Sequence, residues 1–435
     1  MRSTNSQVAL LGIRIDDVSL DEAVSIIDSM IDSGGCHQVA TANVDFLSKA
    51  VGDRDLMEIL NGCELVLADG MPLVWASRLM GASLKERVTG ADLFPRLLEL
   101  SERKKRRIFL LGATEERSRG TLERIQREYP NAEICGRLAP PITPIDQMAH
   151  GEMLKAIEDA RPDILLVAFG NPKQEKWLAM HRHCLNVPVC IGVGASVDFF
   201  SGRQSRAPLW MQRSGMEWIF RLFSEPRRLG PRYLDNVLFL LRYLSLQLFI
   251  TSVQPSESSA TKISMTRLGR ALIVRIAGDF TGPAVSELRQ GIESELASGC
   301  SLIVDLSSSN TIRPDAAGFL VGFTQQMRNR DAQVWLVGAR RGVRNVLRTT
   351  FPTGHNFRMA ATVQDALRAL QAGGDDFGLR PPATYTTPSE DWSPLSIFAQ
   401  SRFEGEDRRS SPRGTQALRD TVSGRAEQRE AAVVE

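Results

Sequence analysis

A run of five consecutive apolar residues followed by a glycine turn constrains the fold most. Ile164 to Ala168 read as a strand buried on both faces, and Pro172 falls where the first turn of a helix accepts a proline. The turn between them is therefore the carboxyl end of a parallel strand, where open α/β sheets bind ligands. Free amides at Lys173 and Gln174, with the Lys173 charge, predict an anion site there, unless this is an ordinary strand-to-helix connection.

Composition limits the classes of protein that the chain can belong to. Its 435 residues predict two domains joined by linkers. A net charge of +2 argues against a dedicated nucleic-acid binder. The six cysteines form no CxxC pair, which favours reduced thiols in a cytosolic protein, and the first residues lack the apolar core of a secretory leader.

Strands and helices alternate along the first half of the chain. Ser19 and Glu22 have the spacing of a capping box and predict the start of a helix. The pattern predicts an α/β fold with a doubly wound, Rossmann-like, mostly parallel sheet. Strands are expected at residues 8–13, within 38–45, and at 64–68, 108–111, 133–135, 164–168 and 187–192.

Because parallel strands end at one edge of a sheet, polar and glycine residues that follow them should meet in one cleft. They are Thr41, Asn43, Asp69, Gly112, Gln174 and Gly194. Asp69 follows four apolar residues, where a carboxylate is costly unless it is capped, paired or used chemically. We expect it to be a general base, since partial burial raises a carboxyl pKa toward working pH. Helix capping is the alternative for all three polar residues Thr41, Asn43 and Asp69.

Two motif-like stretches are weak. Asp53-Arg54-Asp55 matches the DxD spelling of metal-dependent transferases, but it lies in a polar helix start. Gly192-Val-Gly194 begins a dinucleotide fingerprint whose third glycine position is Val197, so a dehydrogenase fits poorly. We therefore expect neither a bound metal nor a cofactor.

Arginines are concentrated after residue 203. Their forked donors suit a pyrophosphate, although arginines are also common on solvated helices. The cluster comprises Arg203, Arg206, Arg221, Arg227, Arg228 and Arg232.

Many separate motifs, in order, resemble the WecG/TagA/CpsF family, glycosyltransferase family 26, over residues 8–245. They are Thr41-Ala-Asn43, Ala68-Asp69-Gly70-Met-Pro, Arg87-Val-Thr89-Gly90, Gly170-Asn-Pro-Lys-Gln174-Glu-Lys-Trp, Gly192-Val-Gly-Ala-Ser-Val-Asp198-Phe, Arg206-Ala-Pro, Gly215-Met-Glu217-Trp218 and Arg221-Leu. The resemblance implies an inverting, metal-independent hexosyltransferase that moves a sugar from a UDP-sugar to a polyprenyl-pyrophosphate-linked saccharide. The resemblance also implies that this reaction takes place at the cytoplasmic face of the membrane, as a step in exopolysaccharide or surface-glycan synthesis.

The resemblance also implies roles for single residues. Asp69 matches the proposed base, and arginines of a carboxyl-terminal appendage beginning near residue 203 would close over the donor diphosphate. The substrate-binding residues implied are Thr41, Asn43, Arg87, Gly112, Gln174, Gly194, Asp198, Arg221, Arg228 and Arg232.

The apolar segment 233–250 bears on the membrane. Asp235 and Arg242 argue against a spanning helix. An amphipathic helix lying in the interface would suit a peripheral enzyme with a lipid acceptor. A helix docked on protein is the equal alternative.

The carboxyl-terminal half restarts the strand and helix pattern after a polar linker at 251–262. Residues 263–372 resemble a STAS domain, through Gly278-Asp-Phe-Thr, Val304-Asp-Leu-Ser and Asp315-Ala-Ala-Gly318. Ala316 stands where phosphorylated relatives carry serine, so a phosphorylation switch there is not expected. This smaller α/β domain is expected to bind a protein partner or to be a passive spacer, and the polar tail 373–435 is expected to be disordered. The alternative to an enzyme of residues 1–250 is a non-catalytic scaffold that uses the STAS-like domain to recruit a polysaccharide assembly.

Overall fold

The computed structural model describes residues 6–82, 84–202, 206–213, 215–252, 261–295, 300–328, 332–350 and 358–371. The predicted tail at 373–435 and most of the predicted linker lie outside these residues. The two larger β-sheets, of six and five strands, are each covered by helices and belong to one compact unit.

The first described elements form an antiparallel hairpin, β1 (Gln7–Leu10) and β2 (Ile13–Asp16). The prediction of one strand over 8–13 is wrong, because Leu11 and Gly12 both adopt positive φ, 52° and 84°, and reverse the chain. Two central residues of positive φ match the right-handed twist of the flanking strands. The sequence signal for this turn is weak, because its first central position is Leu11. Asparagine, aspartate or glycine normally occupies that position, and here only the second one, Gly12, is typical of the turn.

The first sheet is parallel throughout its described strands, which run in the order β4-β3-β8-β7-β5-β6. Each strand lies within two residues of its predicted start, and in β4, β5, β7 and β8 a nearly continuous apolar run gives the signal. The strands are β3 (His37–Ala42), β4 (Leu65–Ala68), β5 (Ile108–Gly112), β6 (Ile134–Leu138), β7 (Ile164–Ala168) and β8 (Val189–Gly192).

Helices cover both faces of this sheet, so the doubly wound prediction is confirmed. The Ser19 and Glu22 capping box is present and opens α1. The helices are α1 (Leu20–Ser33), α2 (Val44–Gly52), α3 (Arg54–Gly62), α4 (Met71–Leu79), α5 (Gly90–Lys104), α6 (Glu115–Glu128), α7 (His150–Ala160), α8 (Lys173–His181), α9 (Ser196–Phe200), α10 (Leu209–Arg213), α11 (Glu217–Ser224) and α12 (Pro226–Ser252).

Helix α12 carries the apolar segment predicted at 233–250. Four of its apolar side chains, spaced along one face, are between 45% and 61% exposed: Leu234, Val237, Leu238 and Leu241. Among the described residues, no helix combines the length and apolarity that crossing a bilayer would require.

The second sheet has the order β13-β12-β11-β10-β9, with β9 antiparallel to its neighbour. Its core is separate from those of the first sheet, and Ala316 is fully buried in it. The elements are β9 (Lys262–Leu268), β10 (Ala271–Phe280), α13 (Gly282–Glu295), β11 (Ser301–Ile312), α14 (Pro314–Arg328), β12 (Val334–Val337), α15 (Arg341–Thr350), β13 (Arg358–Ala360) and α16 (Val363–Gln371).

Candidate active site

Several of the predicted site residues lie at the carboxyl edge of the first sheet. Neighbouring strands β4, β3, β8, β7 and β5 end there, so the residues that follow them lie along one edge. Thr41 is buried and its hydroxyl donates to the carbonyl of Gly192, 3.3 Å away. Asn43 caps α2, because its Oδ1 accepts a hydrogen bond from the Phe46 amide at 3.1 Å. Capping holds Asn43 at the edge and leaves its side-chain NH₂ as a donor there.

Asp69 follows β4 directly, and its amide donates to the Ala42 carbonyl at 2.7 Å. Burial raises the pKa of its carboxyl to about 6. The cations Arg221 and Arg87 lower that pKa, whereas the carboxylates Glu217 and Asp92 raise it. A carboxyl with this pKa is mostly ionised at pH 7 and can still accept a proton.

Glu217 is the centre of the charged cluster beside Asp69. Its carboxylate lies 2.6 Å from Arg221, 3.4 Å from Arg87 and 3.7 Å from Arg206. Asp92, on α5, also joins two of these arginines, at 2.8 Å from Arg206 and 3.5 Å from Arg87. The carboxylates therefore gather arginines from three separate segments of the chain. This role of Glu217 was not predicted, although its i, i+4 spacing from Arg221 is typical of an ion pair on a helix.

Several guanidinium N–H groups in this cluster are buried without a hydrogen-bond partner among the described residues. They are Nε and Nη2 of Arg206 and Nε of Arg221. The Arg221 guanidinium also lies over the Phe199 ring, 4.3 Å from its centre, in a cation–π contact. A buried donor without an acceptor is costly, so these groups favour an anion that enters the cleft.

Other predicted site residues are engaged elsewhere. Arg232 holds both carboxylate oxygens of Asp45, at 3.0 and 2.7 Å. Asp198 pairs with Arg117 of α6 at 3.0 Å. Arg228 lies in α12, with its side chain outside the described set, and Arg203 is outside the described residues.

Gln174 joins two loops of the cleft. Its Oε1 accepts from the amides of Gly170 and Gly194, each at 3.2 Å, and its Nε2 donates to Glu175 at 2.7 Å. The prediction of a free amide at Gln174 is wrong, because that amide donates to the Gly170 carbonyl at 3.0 Å. The Lys173 ammonium likewise donates to the Thr143 carbonyl.

Gly112 ends β5 with φ of 106°, a conformation that a side chain would strain. A Cβ there would lie 2.8 Å from the Ala168 backbone, so glycine permits β5 and β7 to meet at the cleft.

The DxD-like stretch, Asp53 to Asp55, forms the start of helix α3. Asp53 caps α3 by accepting from the Leu56 amide at 3.0 Å, and it pairs with Lys176 at 2.6 Å. Among the described residues, no three His, Cys, Asp or Glu side chains are grouped to hold a metal ion.

Comparison with known proteins identifies two regions. Residues 8–252 match the model of the glycosyl transferase WecG/TagA/CpsF family, and residues 262–366 match the STAS domain model. An N-acetylglucosaminyldiphosphoundecaprenol N-acetyl-beta-D-mannosaminyltransferase of Bacillus subtilis is 38% identical over 190 residues, which are 44% of this chain and 72% of that protein. The Staphylococcus aureus (strain MRSA252) protein of the same name is 29% identical over 231 residues, 53% of this chain and 89% of that protein. The crystal structure of an anti-sigma factor antagonist from Mycobacterium paratuberculosis aligns with 26% of this chain and 95% of its own, at 18% identity and a TM-score of 0.24.

Proposed function

The chain belongs to the glycosyl transferase WecG/TagA/CpsF family, and from that premise we propose that it moves a sugar from a UDP-sugar to a polyprenyl-diphosphate-linked saccharide, with inversion and without a metal. The observation that carries the proposal is Asp69, a carboxyl of pKa about 6 beside Arg87 and Arg221 at the edge of the sheet.

The reaction is a single in-line displacement. Asp69 takes the proton of the acceptor hydroxyl while that oxygen forms a bond to the anomeric carbon. The bond from that carbon to the diphosphate breaks, and its electron pair leaves with UDP. Displacement from the opposite face inverts the anomeric centre.

The arginines stabilise the departing UDP. Negative charge grows on the diphosphate as the bond breaks, and fixed cations in a partly buried cleft stabilise that charge strongly. The N–H groups of Arg206 and Arg221 that make no hydrogen bond among the described residues supply donors for this purpose. Thr41, Asn43, Arg87, Gly112, Gln174 and Gly194 line or shape the pocket, and Asp198, Arg228 and Arg232 complete the predicted substrate-binding set. To reach the substrate, Asp198 would exchange its ion pair with Arg117, and Arg232 its bonds with Asp45, for contacts with the donor.

The relatives suggest the first substrates to test. Their name specifies transfer of N-acetylmannosamine to N-acetylglucosaminyl diphosphoundecaprenol. The exposed apolar row of α12 supports peripheral binding at the inner face of the membrane, where such an acceptor would be presented.

Release of UDP tests the proposal. The wild-type protein is incubated with UDP-N-acetylmannosamine, and then with other UDP-sugars, together with a prenyl-diphosphate N-acetylglucosamine acceptor. We expect acceptor-dependent UDP release that chelation of divalent cations does not reduce. Absence of release with every donor would favour a non-catalytic scaffold.

A further inference from the structure

The STAS domain packs directly on the amino-terminal hairpin. Gly318 of α14 faces the backbone of β1, and a Cβ at this position would lie 2.8 Å from Ala9 N and Gln7 O and 2.9 Å from Val8 C. Only glycine permits so close an approach. Ala9 is fully buried and packs within the hydrophobic core of the STAS sheet. The first strand of the transferase thus contributes Ala9 to the core of the second domain, whereas Val8 and Leu10 face a core of the first sheet.

One turn later, Gly322 faces the side chains of Gln7 and Arg14. Arg14 is 1% exposed, lies 3.6 Å from Asp16 and donates to the Cys63 carbonyl. Helix α14 therefore covers a buried ion pair of the hairpin. A buried pair of this kind is costly to disturb, because either partner alone would be an uncompensated charge.

Hydrogen bonds connect this contact to the strand that carries the predicted base. Gln7 Nε2 donates to Asp16 Oδ1 at 2.8 Å. The other oxygen of Asp16 accepts from the Val66 amide, also at 2.8 Å. Val66 lies in β4, three residues before Asp69.

A second contact holds the segment after Asp69. Arg313, which precedes α14, donates to the carbonyl of Gly81. Gly81 follows the carboxyl end of α4, whose first residue, Met71, is two positions after Asp69. The STAS domain thus contacts β4, through the hairpin, and the end of α4; these two elements precede and follow Asp69 in the chain.

We propose that the STAS domain is an intramolecular brace of the transferase: through Gly318, Gly322 and Arg313 it fixes β4 and α4, and so positions the Asp69 carboxylate. The face of α14 that carries Gly318 and Gly322 is then covered by the hairpin of the same chain. The proposed effect on turnover depends on Asp69 being the base, whereas the effect on backbone rigidity does not.

Substitution of glycine by leucine in the full-length protein tests the brace. Gly318→Leu drives a side chain into the β1 backbone. Gly342→Leu, in α15, is the matched control, because a Cβ there meets nothing within 4 Å. Both substitutions replace a helical glycine by leucine, so helix propensity rises in both. The readouts are hydrogen exchange at the Val66 and Asp69 amides, and kcat and KM for UDP release.

We expect Gly318→Leu to speed exchange at both amides and to lower kcat, each by about tenfold or more, with KM for the donor changed less than about threefold. The control should match the wild type. Wild-type exchange at both amides in Gly318→Leu would overturn the brace, and faster exchange with a wild-type kcat would overturn the positioning of Asp69 by it.

Arg313→Ala decides the matter if Gly318→Leu does not fold. It removes the contact with Gly81 alone, and we expect faster exchange in α4 and a lower kcat; no change in either would overturn the proposal. A wild-type protein without turnover would contradict the proposed function, and exchange alone would then decide whether the brace exists.

Discussion

At the scale of single residues, Asp69 shares its surroundings with charges of both signs. Burial is the largest influence on its pKa, and the arginines only partly offset it. The strand end and the isolated acid could be read from the sequence, because four apolar residues precede Asp69. The carboxylates that organise the arginines could not, since Glu217 and Asp92 reach the cluster from segments 125 positions apart.

The first prediction concerns the pH dependence of turnover. A base works only when deprotonated, so kcat should fall as pH decreases through about 6, the pKa of Asp69. Asp69→Asn should lower kcat by about 10²- to 10⁴-fold. Rates of UDP release between pH 5 and 8 provide the measurement. Asp55→Asn, an exposed acid of the DxD-like stretch, is the control and should retain wild-type rates; equal rates in Asp69→Asn would remove Asp69 as the base.

The second prediction concerns Glu217. Its negative charge raises the pKa of Asp69, so Glu217→Gln should lower that pKa and move the acidic limb of the kcat profile to lower pH. KM for the donor should rise about three- to tenfold, because the arginines lose a shared partner. Glu128→Gln removes another i, i+4 partner of an arginine, outside the cleft, and should change neither. If the acidic limb of the kcat profile stays at the wild-type pH in Glu217→Gln, the charge of Glu217 does not act on Asp69.

At the scale of elements, local signals predicted structure well and distant pairings did not. The capping box of α1 was visible because Ser19 and Glu22 satisfy each other's amides within one turn. The β1-β2 turn was missed because Leu11 carries no turn signature. The expectation that Arg232 grips the donor rested on resemblance, and its bidentate bond to Asp45 depends on packing of α12 against α2 that no local pattern encodes.

The third prediction tests the exposed face of α12. Leu234 and Leu238 are 60% and 55% exposed and lie on one face of the helix. Replacing both by Glu should reduce binding to vesicles containing anionic lipid by about tenfold or more, since two buried apolar side chains contribute about 1.5–3 kcal/mol each. Co-flotation with vesicles measures this. Ile142→Glu, at an exposed apolar position elsewhere, should bind normally. If the double variant floats with vesicles as well as the wild type does, the exposed face of α12 does not bind the membrane.

At the scale of the whole molecule, a buried acid makes stability depend on pH. Glu175 is 1% exposed, its Oε2 has no hydrogen-bond partner among the described residues, and burial raises its pKa to about 8. The folded state therefore holds a proton that the unfolded chain releases above its ordinary pKa near 4.5. The resulting stabilisation is complete below that value and is lost as pH rises toward 8.

The fourth prediction follows from this linkage. Glu175→Gln cannot ionise, so at pH 8 its free energy of unfolding should exceed that of the wild type by about 1–4 kcal/mol. The difference should shrink toward pH 5. Urea denaturation at several pH values measures it. A constant difference across this range would mean that Glu175 does not titrate with folding.

The contact of Gly318 with Val8 has a consequence for synthesis of the protein. The two positions are 310 residues apart in the sequence. At about 5–20 residues per second, a ribosome needs roughly 15–60 s to make the intervening chain. During that time the face of the nascent hairpin that later packs on α14 stays exposed, and transiently exposed apolar surface of this kind is what chaperones bind.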